Sequence, residues 1–201
     1  LVVICGDLYH DKLNLSPSCQ LLVSEFLNEL TKYAPVVLID GNHDVNLNNT
    51  DEISNIDSLK YIKNWDNIHY LKYTGSYQFG NIVFGVTQME NDKVHECKIK
   101  NKIKIGLYHG QLYNAVYENG MKIKSGLKLN DFKSNYDIIM LGDIHKHQYL
   151  SHKCAYSGSL IQQNYGESVE NHGYIKWNLV DMTSEYIKLH NDHALIELDM
   201  D

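Results

Sequence analysis

Four short stretches of this 201-residue sequence end in side chains that can hold divalent metals. They are Gly6-Asp7 with His10, Gly41-Asn42-His43-Asp44, His109-Gly110, and Gly142-Asp143-Ile144-His145. Carboxylate, carboxamide and imidazole in that mixture are hard to borderline donors and suit an oxygen-rich divalent centre. A centre holding two ions about 3.5–4 Å apart activates water against a phosphoester and stabilises the charge that develops. That chemistry requires a carboxylate able to bridge, several imidazole or oxygen ligands, and a nearby acid, and the four clusters contain each type. A Gly-Asp pair after a strand is by itself most often a turn. The ordered combination of all four carries the inference.

Each cluster follows a short apolar run: residues 1–5, 36–40, 103–108 and 137–141. Runs this short and rich in Val and Ile read as buried strands. The ends of such strands are where α/β proteins build their sites. A helix is expected between the first two runs, with Ser16 as cap, Pro17 in the first turn, and an apolar stripe of Leu21, Leu22, Phe26, Leu27 and Leu30 ending before Pro35. A second helix is expected over 57–63. Further strands are expected over 68–73, 77–79 and 82–86, the last two joined by a Gly80-Asn81 turn. Residues 90–102 read as a solvated loop or hairpin, and 173–180, 184–189 and 194–198 as strands. This mixture predicts one α/β domain spanning 1–201.

Composition narrows the function classes. The chain is 43% hydrophobic and 21% charged, which excludes disorder, and no apolar run approaches the roughly 20 residues that span a bilayer. The formal net charge of −7, with lysine but no arginine among the basic residues, excludes binding of nucleic acid through bulk positive charge. Cys5, Cys19, Cys97 and Cys154 form no CxxC pair, so a zinc knuckle is not expected and reduced thiols are. Residues 1–5 lack the basic leader of a signal peptide. A protein of the cytoplasm or another intracellular compartment, not secreted and not of the membrane, is the expectation.

GDLYH followed 35 residues later by GNHD resembles the calcineurin-like metallophosphoesterases. Downstream, Tyr156-Ser157-Gly158-Ser159-Leu160, Tyr165-Gly166-Glu167 and Gly173-Tyr174-Ile175 resemble the PGSL, GE and KGF stretches of the SbcD branch. That branch comprises the nuclease subunit of SbcCD and its archaeal and eukaryotic repair counterparts. The resemblance covers nearly the whole chain and implies a four-layer α/β/β/α sandwich with mixed sheets. It implies two divalent ions with Asp7 as bridging carboxylate, Asn42 and His109 on one ion, and Asp143 and His145 completing the set. By the same likeness His43 contacts the phosphate as general acid, oriented by Asp44, and His10 lies near the scissile phosphate.

Two departures qualify that likeness. Where the family has Gly-His-x-His, this chain has Gly142-Asp143-Ile144-His145, which admits two registers. Asp143 and His145 form the pair if the glycine is kept in place; His145 and His147 form it otherwise. A carboxylate in place of imidazole hardens the centre and favours manganese or magnesium over zinc. The family also opens on an Asp-x-His strand that would lie before Leu1, so an N-terminally truncated domain lacking that first strand and metal motif is expected. The functional expectation is a DNA exo- or endonuclease of the SbcD type in double-strand-break repair or recombination. Its implied partners are DNA, an SbcC-type ATPase and a second copy of the chain; the stripe of the first helix is expected to pack on the sheet, with a share in that dimer surface as the alternative. A metallophosphatase or cyclic-nucleotide phosphodiesterase of the same fold, and a degenerate non-catalytic scaffold, stand as alternatives.

Overall fold

A computed structural model describes residues 1–12, 14–46, 53–60, 65–196 and 198. Three parallel strands, β1 (Val2–Cys5), β2 (Val36–Ile39) and β3 (Ile68–Tyr70), form a small sheet in the order β1-β2-β3. Helix α1 (Pro17–Thr31) connects the first two strands, and α2 (Asn55–Leu59) precedes the third. Ser16 caps α1 by accepting the Cys19 N–H at 3.1 Å, with Pro17 in the first turn as expected. Ser54 caps α2 in a reciprocal box with Asp57. Of the second helix expected over 57–63, residues 61–63 lie outside the described residues.

A six-stranded mixed sheet follows in the order β4-β5-β6-β7-β9-β8. Its strands are β4 (Gly75–Phe79), β5 (Ile82–Thr87), β6 (Ile103–His109), β7 (Ile138–Gly142), β8 (Gln148–Ser151) and β9 (Cys154–Tyr156). The Gly80-Asn81 turn joins β4 to β5, with Gly80 at φ +58°. Strands β5, β6, β7 and β9 run parallel, so their chain-terminal ends share one edge of the sheet. A separate antiparallel hairpin, β10 (Gly173–Asn178) with β11 (Thr183–Lys188), completes the strands.

Side-chain alternation along the strands separates three cores. Val36 and Leu38 of β2 face α1 and α2, where Leu27, Ile56 and Leu59 cover them. Val37 and Ile39 point the other way and meet Phe84, Val86, Ile105, Leu107 and Ile138 of the larger sheet. On that sheet's far side, Val83, Tyr108, Ile139 and Leu141 are covered by Phe132 of α3 (Leu129–Lys133) together with Leu112, Ile123, Tyr136 and Cys97. The layers therefore run helix, sheet, sheet, and then a thin cover of one short helix with loops. The Tyr136 ring lies across paired Gly85 and Gly106, where an added Cβ would stand 2.1 Å and 2.9 Å from its atoms.

Several elements differ from the sequence expectation. In α1, Leu27 is buried and Cys19, Val23 and Leu30 pack beside it, whereas Leu21, Leu22 and Phe26 are exposed. The core stripe runs one face over, because Cys19 and Val23 replace the bulkier leucines against the sheet. The segment 90–102 is not simply solvated: Cys97 is buried, Val94 and Ile99 pack on the outer core, and Tyr136 donates to the His95 carbonyl at 2.5 Å. No strand forms among the described residues of 194–198; the Gln162 side chain instead takes both the N–H and the carbonyl of Leu195, at 2.8 Å and 3.2 Å. None of the described helices is long and apolar enough to cross a membrane.

Leu107 is fully buried between the two sheets. Leu107→Ala should cost about 2–5 kcal/mol of stability, measured by urea unfolding. A loss below about 1 kcal/mol would mean that the sheets do not share this core.

Candidate functional site

Strand register brings the expected clusters to one place. Cys5 pairs with Ile39, so Gly6-Asp7 and Gly41-Asn42 leave the small sheet side by side. His109 pairs with Gly142, so Asp143 leaves the large sheet beside the His109 ring. The two sheets touch here. An added Cβ on Gly142 would sit 1.9 Å from the Cys5 carbonyl oxygen, and one on Gly41 would sit 2.1 Å from Asp7 Oδ1. The glycines preceding Asn42 and Asp143 are therefore required by close backbone approach.

At the centre lies His109, 1% exposed. Its Nδ1 donates to the Cys5 carbonyl at 2.6 Å, which in a neutral ring leaves the Nε2 lone pair open to a metal. Around Nε2 stand Asn42 Oδ1 at 2.9 Å, Asp7 Oδ2 at 3.4 Å and Asp143 Oδ1 at 3.9 Å. Ligands of one ion held at about 2.1 Å lie roughly 3 Å apart when adjacent and about 4 Å apart when opposite. All three separations fall at or near that range. Two carboxylates, one neutral amide and one imidazole also match the charge of a divalent cation, so the donor set fits a metal. Among the described residues no three His, Cys, Asp or Glu side chains close into a finished cage. The set depends on the Asn42 amide and is widest at Asp143.

The electrostatics agree with a place meant for positive charge. Burial opposes a charged His109 ring, but Asp7, the Cys5 carbonyl and Asp143 outweigh it and hold its pKa above the usual histidine value. Burial likewise raises Asp7, yet the His109 hydrogen bond and charge, with the His43 N–H, bring its carboxyl below the ordinary range. Asp143 is pushed up by burial, offset in part by His109 and by a hydrogen bond from Gln111. Asp7 and Asp143 both hold left-handed backbone, at φ +57° and +89°. Such conformations cost on the order of 1–3 kcal/mol each in non-glycine residues and cluster at functional sites. The turn at Asp143 also means that it and His145 are not two apart on an extended strand; Asp143 nonetheless feels the charge of His145.

His43 and His10 stand together at the rim. Their rings stack with centroids 5.3 Å apart, and His43 Nδ1 donates to the His10 carbonyl at 2.5 Å. The His43 main-chain N–H donates to Asp7 Oδ1 at 3.0 Å, tying the pair to the centre. Asp44 does not orient His43, contrary to the sequence expectation. Its buried carboxylate accepts the N–H groups of Asp7 and Gly41, each at 2.8 Å, and of Tyr9 at 3.2 Å. Asp44 therefore holds the ends of β1 and β2 together. Burial, with repulsion from Asp7 and Asp40, pushes its carboxyl up to about 7 against the pull of those N–H groups.

His145 turns its Nδ1 to the buried Glu167 carboxylate at 2.6 Å. His147, the other candidate of that motif, stacks on the Tyr186 ring at 3.7 Å and points Nδ1 to the Tyr156 carbonyl at 3.2 Å. Three participants carried no assigned role in the sequence: the Cys5 carbonyl, Gln111 and Glu167. A main-chain oxygen leaves no side-chain signal. Gln111 directly follows His109-Gly110 and takes its orientation from the Tyr117 hydroxyl at 2.7 Å, so position alone hinted at it. Glu167 sits within the Tyr-Gly-Glu stretch of the family likeness.

Comparison with known proteins follows the same lines. A family model described as calcineurin-like phosphoesterase matches residues 1–158. A protein of Acanthamoeba polyphaga mimivirus, named only as uncharacterized, is 44% identical over 211 residues that cover 96% of this chain and 15% of its own length. Two proteins bearing provisional phosphoesterase names are each 23% identical over 85% of this chain. In Invertebrate iridescent virus 6 the match covers 61% of the protein, and in Invertebrate iridescent virus 3 it covers 50%. This chain thus spans less than two thirds of each of these relatives.

Gly41→Ala forces a Cβ against Asp7 and should cost about 1–3 kcal/mol of stability in urea unfolding. It should also abolish saturable Mn2+ binding in a calorimetric titration. Gly80→Ala, in an open turn with nothing within 4 Å, should cost about 1–2 kcal/mol for its left-handed backbone and leave Mn2+ binding unchanged. Equal Mn2+ affinity in the two variants would refute the close-approach argument.

Proposed function

Because the chain belongs to the calcineurin-like phosphoesterase family, we propose that it carries the catalytic centre of a metal-dependent phosphodiester hydrolase acting on DNA. In this reading it is an exo- or endonuclease of the SbcD type, in double-strand-break repair or recombination. The observation that carries the reading is the convergence of Asn42 Oδ1, Asp7 Oδ2 and Asp143 Oδ1 on the Nε2 face of His109. Three oxygens to one nitrogen favour manganese or magnesium. In this reading Asp7, Asn42, His109 and Asp143 would hold one such ion, and Asp7 with His145 would supply ligands to a second.

When bound, the ions supply Lewis acidity toward the phosphoryl group and lower the pKa of water toward neutrality. The remaining work falls to the chain's own residues. His109 presents Nε2 because Cys5 occupies Nδ1. Asn42 contributes an oxygen without adding negative charge, which keeps the centre attractive to an anionic diester. His43 has Nδ1 committed to the His10 carbonyl, so in its doubly protonated form it would give the Nε2 proton to the leaving oxygen and remain as the neutral Nδ1–H ring. His10, stacked beside it, flanks the same phosphate. Preference for DNA over small esters rests on the SGSL and YGE stretches and their likeness to the nuclease branch. With a net charge of −7, the grip on DNA falls largely to an SbcC-type ATPase partner. The exposed Leu21, Leu22 and Phe26 of α1 are the proposed contact with a second copy.

With Mn2+, the protein should cleave linear duplex DNA and bis-p-nitrophenyl phosphate in preference to p-nitrophenyl phosphate. His43→Ala should slow diester cleavage roughly 100- to 10,000-fold while Mn2+ affinity stays within about twofold, because His43 lends the centre only a main-chain N–H. Turnover of the monoester without the diesters would overturn the nuclease assignment. Inertness of the Mn2+-loaded protein toward all three substrates would overturn the hydrolase itself and favour a scaffold.

A further inference from the structure

The loop between β9 and β10 grips His145 in two ways. Ser159 N–H donates to the His145 carbonyl at 3.0 Å, and Gly158, at φ +81°, lies so close that a Cβ would stand 2.6 Å from that oxygen. Glu167 takes the ring, its Oε1 2.6 Å from His145 Nδ1. The Glu167 side chain is 4% exposed while that of His145 is 45% exposed, so the carboxylate forms a fixed floor beneath an accessible ring. Its other valences are filled from within the loop. Asn164 Nδ2 donates to Oε1 and Gln163 N–H to Oε2, each at 2.9 Å, while Gln162 Nε2 holds the Glu167 carbonyl at 3.1 Å. The carboxylate therefore cannot swing away from the imidazole without leaving two donors unpaired.

We propose that Glu167 is the positioning residue for His145: it holds the proton on Nδ1 and so leaves the Nε2 lone pair free to take an ion. A carboxylate fixes both the tautomer and the orientation of an imidazole and raises its basicity as a ligand. This gives the YGE stretch a physical purpose, since the loop that carries Glu167 also clamps the His145 backbone. The inference rests on the hydrolase reading for the use of Nε2, but the hold of Glu167 on the ring stands without it.

Two measurements separate these claims. In metal-free protein with 15N-labelled histidine at pH 8, the neutral His145 ring should populate the Nδ1–H tautomer almost exclusively. Glu167→Ala should shift it toward the Nε2–H form common in free imidazole, and Glu167→Gln, which keeps an acceptor oxygen, should largely retain Nδ1–H. Urea unfolding confirms that each variant is folded; if Glu167→Ala is not, Glu167→Gln and Glu167→Lys are compared instead. Titration with Mn2+ alone should show the weaker of two sites lose about 10- to 100-fold in affinity in Glu167→Ala, with a smaller loss in Glu167→Gln. An unchanged tautomer in folded Glu167→Ala, or in folded Glu167→Lys where the alanine variant does not fold, overturns the positioning role. Wild-type protein that shows the Nδ1–H tautomer but binds no Mn2+ overturns the hydrolase reading while leaving the hold on the ring in place.

Discussion

The ends of β1, β2 and β7 approach so closely that a Cβ on Gly41 or Gly142 would overlap Asp7 or the Cys5 carbonyl. Everything at the site follows from that approach. It puts the Cys5 carbonyl within 2.6 Å of His109 Nδ1 and so decides which nitrogen of the ring faces the ligands. It sets Asp7 Oδ1 against the His43 N–H, leaving Oδ2 toward His109. Asp44 maintains it from below by collecting three main-chain N–H groups from the two strand ends. A buried carboxylate is an expensive fastener, since burial and two neighbouring acids push it up to about 7. Its compensation is that those N–H groups, at the ends of strands with no further ladder partner, would otherwise be buried and unpaired.

The strands that carry the site were legible in the sequence because they are short, β-branched and terminated by glycine. The four runs before Asp7, Asn42, His109 and Asp143 are β1, β2, β6 and β7 to within a residue or two. The Gly80-Asn81 hairpin was legible for the same local reason. Elements that depend on tertiary context were not. The β8–β9 pair occupies QYLS and CAY, which have no strong alternation, and its strands are placed by β9 joining β7. In α1 the sequence shows two apolar stripes, and only packing on β2 selects the one with Cys19, Val23 and Leu27. The terminal segment read as a strand from its alternation, yet Gln162 satisfies the Leu195 backbone with a side-chain amide, so no strand partner is required.

Within the site, residue identity was more legible than residue role. Asn42, His109 and Asp7 gather as their spacing implied, because each stands two or three positions beyond the end of a parallel strand or on its last residue. Asp44 misled because the family likeness assigned it to its neighbour His43. A residue three positions past Gly41 instead turns back beneath the loop, where its carboxylate meets main-chain donors. Gln111 shows the reverse case. Its amide is oriented by Tyr117 and acts on Asp143, a relation between residues far apart in sequence that no local spacing announces.

The two carboxylates nearest His109 are also the two non-glycine residues at the site held in left-handed backbone. Among the other four such residues, three are asparagines, which share with aspartate a short polar side chain that eases but does not abolish the cost of this region. Extended backbone at Asp7 or Asp143 would relieve local strain but carry its carboxylate away from His109 Nε2. Glycine would relieve it as well, yet supplies no oxygen. The strain is therefore tied to the acids themselves, and on the proposed reading a divalent cation held here would offset it by drawing together oxygens that otherwise repel. On this argument a divalent ion held by these residues would be part of what stabilises the fold at these strand ends. The glycines that admit the close approach and the aspartates that bear the strain are then two halves of one arrangement.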